Sequence, residues 1–148
     1  MLRIGINVGA EWIVVEQPVG NAKWEAEVAY DLCGAGYHAA RIEFAASNIG
    51  APYPRRRVFI VACTSLPRLE IAWRSVPFEI DRAKRSAAAR GDWNADKLKS
   101  IRVDARSAGE MDRGASRVRK ERIEALGDSN PPAMMEVIGN AILESINQ

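Results

Sequence analysis

The segment Val58-Phe59-Ile60-Val61-Ala62-Cys63 is an unbroken apolar run with strand-forming residues. A strand without a polar face has to be buried, so this run marks the centre of whatever core the chain builds. The chain enters it from the tight turn Gly50-Ala51-Pro52-Tyr53-Pro54 through Arg55-Arg56-Arg57, which sets three guanidinium groups at the rim of that core. Held there, they are pre-organised donors for a phosphate or a carbonyl-rich base edge, and their charge cannot be titrated away. A nucleic acid or other anionic ligand is favoured.

The chain has 148 residues, close to half of them apolar, which suits one ordinary hydrophobic core. The net charge of +2 excludes a strongly basic protein, although Arg outnumbers Lys and the basic residues gather between Arg55 and Arg122. The longest apolar runs are too short to cross a bilayer, and the N-terminus does not read as a signal segment, so a cytoplasmic protein without membrane contact is expected. Cys33 and Cys63 have neither zinc-site spacing nor the number of a disulfide framework. They read as two buried small apolar residues, and no metal site is expected.

Along the chain, Trp12 to Glu16 reads as a short strand stopped by Gln17-Pro18-Val19-Gly20, with Glu16 at its carboxyl end. Asn21 is a plausible helix N-cap, and Trp24, Val28, Ala29 and Leu32 recur at helical spacing until Gly34 and Gly36. Tyr37 to Ala46 reads as a second strand, with Ala40, Ile42 and Phe44 on one face and His38, Arg41 and Glu43 interleaved. Arg57 to Cys63 is the third. Strand, helix, strand, turn, strand indicates an α/β sheet, in which ligands bind beyond the carboxyl ends of strands. From Leu66 to about Gly114 the pattern weakens and an irregular arm is expected. A final helix from Ala133 to Ile146 carries the stripe Met134, Val137, Ile138, Ala141, Ile142 and Ile146. Three strands and two long helices would leave one sheet edge and part of one face uncovered, which points to a partner segment or self-association.

Three blocks in order resemble the C-terminal half of DNA cytosine-5 methyltransferases of the short bacterial and phage type. Trp12 through Glu16-Gln17-Pro18 is similar to that family's strand ending in Glu-Asn-Val, with Gln17 and Pro18 in place of Asn and Val. Gly50-Ala51-Pro52 followed by Arg55-x-Arg57 is similar to its Gly-x-Pro-Gln-x-Arg-x-Arg segment, with Tyr53 at the Gln position. Leu126-Gly127-Asp128-Ser129 through Pro132 is similar to its closing Leu-Gly-Asn-x-x-x-Pro segment, with Asp128 replacing Asn.

The resemblance implies a fold, a reaction and a set of roles. The fold would be part of a Rossmann-like methyltransferase sheet with flanking helices and a small irregular arm. Residues 1–66 would form the C-terminal part of the catalytic sheet, 67–116 a variable arm that contacts DNA, and 117–148 a closing helix packed back on the sheet. In the family's reaction a cysteine thiolate attacks C6 of a flipped cytosine, S-adenosylmethionine gives a methyl group to C5, and the C5 proton leaves. Glu16 matches the carboxyl at N3, Arg57 the contact to O2 and Arg55 a supporting contact, which together stabilise charge building on the ring. Asp128 and Ser129 would lie near the methionine portion of the cofactor.

The family's Phe- and Gly-rich cofactor loop and its Pro-Cys nucleophile precede the Glu strand, and no Pro-Cys dipeptide occurs in this sequence. The resemblance therefore implies a fragment or small subunit, inactive alone, that uses S-adenosylmethionine and DNA only with a complementing N-terminal chain. The alternative is a non-catalytic DNA-binding or interaction protein derived from the same fold, which the departures at Gln17, Pro18, Tyr53 and Asp128 favour.

Each functional reading has a plainer counterpart. Glu16 can be a solvated strand-end carboxylate, and Arg55 and Arg57 can sit in a solvated turn bridged to Glu43 or Glu70. Arg56 reads as a surface residue and His38 as an ordinary exposed one. Arg82, Lys84, Arg85, Arg90, Lys97, Lys99 and Arg102 can track phosphates, with Arg85, Arg90, Lys97, Lys99 and Arg102 the expected DNA contacts. They alternate with Glu79, Asp81, Asp92 and Asp96, as a mixed solvated face would.

Overall fold

The computed structural model describes residues 2–91 and 132–148. Asp128, Ser129, Lys97, Lys99, Arg102, Trp93 and the basic stretch 117–126 lie outside the described residues. The elements in order are α1 (Leu2–Asn7), β1 (Trp12–Pro18), α2 (Ala22–Gly34), β2 (His38–Ala45), a 3-10 turn (Ala46–Ile49), β3 (Arg56–Cys63), α3 (Leu66–Arg90) and α4 (Pro132–Ile146).

The three strands form one sheet in the order β1-β3-β2, and every hydrogen-bonded pair is antiparallel. The α/β class expected from the sequence is present, but the sheet is small and antiparallel-paired. The cause lies in the connections. The stretch from Ala46 to Arg55 is too short for a crossover, so it reverses the chain and β3 must pair antiparallel with β2. Gly50 makes that reversal possible by adopting φ 94°, a left-handed conformation that a side chain would strain. Helix α2 returns the chain so that β2 runs parallel to β1, with one strand's width between them, and β3 fills the slot.

Burial follows from that central position. Residues Val58 to Cys63 are all 2% exposed or less. Phe59, Val61 and Cys63 face the larger core with Ile42, Phe44, Ile49, Met134, Val137 and Ile138, under α3 and α4. Ile60 and Ala62 face the other side, against Leu32 and Tyr37 with Trp24 and Val28 of α2 packed around them. Helix α2 starts where Asn21 Oδ1 accepts from the Trp24 backbone N–H at 3.3 Å. Tyr37, just before β2, donates its hydroxyl to the Ala10 carbonyl at 2.5 Å and so ties the two ends of this layer together.

The structure departs from the sequence reading in several places. The expected irregular arm begins as the 25-residue helix α3. Pro67 and Pro77 obscure it in the sequence, yet Pro67 sits in the first turn, where proline lacks nothing the helix needs, and Pro77 is carried inside by packing. With α3 present, both faces of the sheet are covered. Among the described residues, the outer edges of both β1 and β2 are unpaired, rather than one edge.

On α4, Ser145 is buried while Ile146 is 46% exposed, because the inward line runs Met134, Val137, Ile138, Ala141, Ser145. The Ser145 hydroxyl is satisfied by donating to the Ile142 carbonyl at 2.6 Å. His38 is exposed as expected, but it shares its strand face with Ala40, not with Arg41 and Glu43, since strand residues alternate.

The cysteines differ from each other. Cys63 is buried, and burial pushes its thiol above the ordinary range. Cys33 is exposed, contrary to expectation, because Leu32 takes the inward position on the last turn of α2. A thiol reagent under native conditions is expected to modify Cys33 and to reach Cys63 only on unfolding. Equal native rates at both, read by peptide mass mapping, would contradict the burial of the β3 end.

Candidate functional site at the β1–β3 end

Antiparallel pairing brings the carboxyl end of β1 against the start of β3. Pro18 stands opposite Arg57 and Glu16 opposite Phe59, so Glu16 and Arg57 are diagonal neighbours on one face. Arg57 Nε lies 2.7 Å from Glu16 Oε1, an ion pair whose N–H and oxygen are not aligned as a hydrogen bond. The Arg57 side chain is 7% exposed and that of Glu16 is 24% exposed. Phe44 of β2 flanks Arg57 on its other side, and Arg57 Nη1 donates to the Arg56 carbonyl at 3.2 Å. The guanidinium is thereby fixed at the end of the core, while the carboxylate keeps contact with solvent.

Arg56, one residue away, points to the opposite face. There it joins a chain of charges that sequence reading did not assemble. Arg41 donates from Nε to Glu25 Oε2 and from Nη2 to Glu43 Oε2, both at 2.7 Å, and Arg56 donates to the other oxygen of Glu43. Gln17 adds a long contact to Glu25 at 3.5 Å. Glu25, in the first turn of α2, is 8% exposed, so this network pins the helix to the sheet. The alternation of Arg41 and Glu43 was its only trace in the sequence. Which helix residue and which arginine they meet depends on the β2–β3 register.

Arg41, and then Arg56, hold the Glu43 carboxyl below the ordinary carboxylate range. A carboxyl lowered by folding contributes stability above its unfolded value and loses it as pH falls through its folded value. Wild type is thus expected to be more stable than Glu43→Gln at neutral pH, with the difference closing as the pH drops through and below the usual carboxylate range. Urea unfolding of both at a series of pH values measures this. A difference that stays constant into acid would remove Glu43 ionisation as its source.

The remaining expected residues are dispersed. Arg55 lines an open cavity of about 480 Å³ with Tyr53, Pro54, Arg56 and Arg57, beside the Glu16–Arg57 pair. Arg85 and Arg90 are both exposed on α3, away from that cavity. Arg90 bonds Ser86 and, with Arg82, lines a cleft of about 320 Å³ between α3 and α4 that also holds Glu79, Glu136 and Asn140. Basic groups there are interleaved with acids, and Arg82 is paired with Glu79 at 2.6 Å. Trp73 is 54% exposed. No helix among the described residues is long and apolar enough to cross a membrane, and no group of three or more His, Cys, Asp or Glu among them is placed to hold a metal ion.

No family model, curated protein or solved structure matches this chain.

Proposed function

We propose that this chain is a fragment or small subunit of a DNA cytosine-5 methyltransferase and supplies the groups that grip the cytosine ring. One observation carries the reading: a carboxylate and a guanidinium, distant in sequence, stand side by side at the carboxyl end of a strand. N3 and O2 are adjacent on cytosine, so neighbouring acid and guanidinium groups suit that edge. Glu16 would hydrogen-bond at N3 and Arg57 would donate to O2, where negative charge builds as the ring is attacked. Arg57 is well suited to this because its position is set by the core rather than by a loop.

S-adenosylmethionine, bound to the complete enzyme, would supply the methyl group. Asp128 and Ser129 lie outside the described residues, so the cofactor part of this reading rests on the sequence resemblance alone. Neither cysteine offers a nucleophile at the pair: Cys63 is buried at the opposite end of β3, and Cys33 sits at the far end of α2.

The test is reconstitution. Mixed with a chain that carries the Gly-rich cofactor loop and Pro-Cys segment, this protein is expected to methylate cytosine in DNA, and alone it is not. A properly folded mixture that transfers no methyl group would reject the subunit reading.

The mutual neutralisation of Glu16 and Arg57 favours a second reading, a DNA-binding or interaction protein in which the pair only joins two strands. That protein would bind DNA in a salt-sensitive manner without any response to S-adenosylmethionine.

A further inference from the structure

We propose that the outer edge of β1, together with the side of α4 above it, is the surface by which two copies of this chain pair. Strand β1 would lie against its own copy, and helix α4 against its own copy, about one twofold axis. The inference does not depend on the methyltransferase reading. Among the described residues nothing pairs with that edge.

The layer of helices places α4 there. Helix α3 packs against β2, β3 and the 3-10 turn, and α4 lies alongside it, so α4 covers the β1 half of the sheet, where Trp12 and Val14 join the larger core. Ala133, Glu136, Val137 and Asn140 line the cleft with α3, which leaves Met135, Gly139, Ile142 and Ile146 on the side of α4 away from it, above the β1 edge. On the other face α1 rests on Ile13, so closely that a Cβ at Gly5 would come within 2.9 Å of Ile13 Cδ1. Seven of the twelve large apolar side chains exposed among the described residues lie on α1 and the turn after it, just past the end of β1, or on α4. Apolar exposure is thus gathered around one strand edge, as at an interface.

Charge and symmetry name the occupant as a second copy. Edges that stay single are guarded by charge. Strand β2 has Arg41 and Glu43, whereas β1 has only Glu16, whose charge Arg57 answers. A twofold axis sets each residue near it against its own copy, so the middle of a self-pairing face has to be uncharged and free of bulk. Strand β1 has seven residues and α4 fifteen, about 23 Å and 22 Å, so the two run the same length. They run in opposite directions, because α4 starts beside Ile49, at the end of the sheet where Pro18 faces Arg57. Their midpoints are Val15 and Gly139. An axis through Val15 therefore brings Gly139 to Gly139, where a Cβ would meet nothing within 4 Å in one copy, and the two helices can approach closely.

The product is a six-stranded sheet bounded by the two charged β2 edges, so pairing stops at two. The shared face is about 23 Å long and about 25 Å through its layers, about 600 Å² per copy, which reaches the lower bound of about 1,200 Å² in total for a stable pair.

The experiment is sedimentation equilibrium of the full chain between about 1 and 100 µM, where a reversible monomer–dimer equilibrium is expected. Gly139→Lys has open space and improves the helix, but it sets two ammonium groups at the axis. It is expected to weaken the dimer at least about tenfold while the urea midpoint of the monomer holds or rises. Phe78→Lys, at a position 75% exposed on α3, is expected to leave association unchanged. With the exposed Cys33 replaced by Ser, Gly139→Cys is expected to give a disulfide-linked dimer on oxidation. A wild-type chain that stays monomeric throughout would overturn the pairing and assign the β1 edge to a different polypeptide. A dimer indifferent to Gly139→Lys, or one dissolved by Phe78→Lys instead, would overturn it as well.

Discussion

Glu16→Gln, placed in a reconstituted methylating pair, is expected to slow methyl transfer by about 10²- to 10³-fold, the usual cost of removing one group that stabilises charge in the transition state. Gln at N3 can hydrogen-bond but cannot present an acid to the ring as charge builds there. Arg57→Lys keeps a positive charge but loses the planar fork, and it is expected to fall in the same range. Both changes also disturb the 2.7 Å ion pair, so a stability readout must accompany the rate.

Glu16→Gln takes the facing carboxylate from a guanidinium that is only 7% exposed, at a cost of about 1–3 kcal/mol. Arg57→Met leaves behind a carboxylate that is 24% exposed and can turn to water, and an apolar replacement for a buried ion is often tolerated. Glu16→Gln should therefore destabilise more than Arg57→Met, whereas Arg57→Met should be at least as damaging to catalysis. If the two variants track each other in both stability and rate, the pair is a strand clip and nothing more. Full activity in both would dismiss the site altogether.

Phe59→Ala is expected to lower stability by about 3–5 kcal/mol, a large share of the roughly 5–15 kcal/mol available to a domain of this size. Phe59 is 0% exposed at the middle of the central strand, and its ring stacks on Phe44 with centroids 5.2 Å apart. Ile42, Val61 and the inward face of α4 close around it, so the structure cannot collapse easily into the space left behind. Tyr30→Ala provides the control: at 79% exposure on α2, its loss should change stability by no more than about 0.5 kcal/mol. Urea denaturation of both decides it. A Phe59→Ala protein within about 1 kcal/mol of wild type would mean that the face beneath α3 and α4 is not the principal core.

Several parts of this architecture were legible because local chemistry governs them. The unbroken apolar run of β3 announces a central strand, and Asn21 caps α2 where its side chain can accept a backbone N–H. Most of the α4 stripe follows from helical spacing, although Ser145 displaced Ile146 at its end because the inward line drifts around the helix. Helix α3 is not legible in the sequence, because its apolar pattern is weak, is interrupted by Pro67 and Pro77, and acquires meaning only against α4 and the sheet. Glu16 and Arg57 were each marked as strand-end residues, yet nothing local joined them. The sequence offers Glu43 or Glu70 as partners for Arg55 and Arg57, whereas in the structure Glu43 serves Arg41 and Arg56 and Arg57 meets Glu16.

What the sequence by itself determined is the three strands, helices α2 and α4, and the residues with reactive groups near their ends: the strand that carries Glu16, the turn ending in three arginines, and the buried strand that follows. What the tertiary structure decided is which of those groups meet. Periodicity, caps and turns act over a few neighbouring residues, whereas the Glu16–Arg57 pair and the Glu25–Arg41–Glu43–Arg56 chain depend on β3 entering antiparallel between β1 and β2 in one register. A shift of one residue would turn Arg57 to the α2 side and Arg56 toward Glu16, because side chains alternate along a strand.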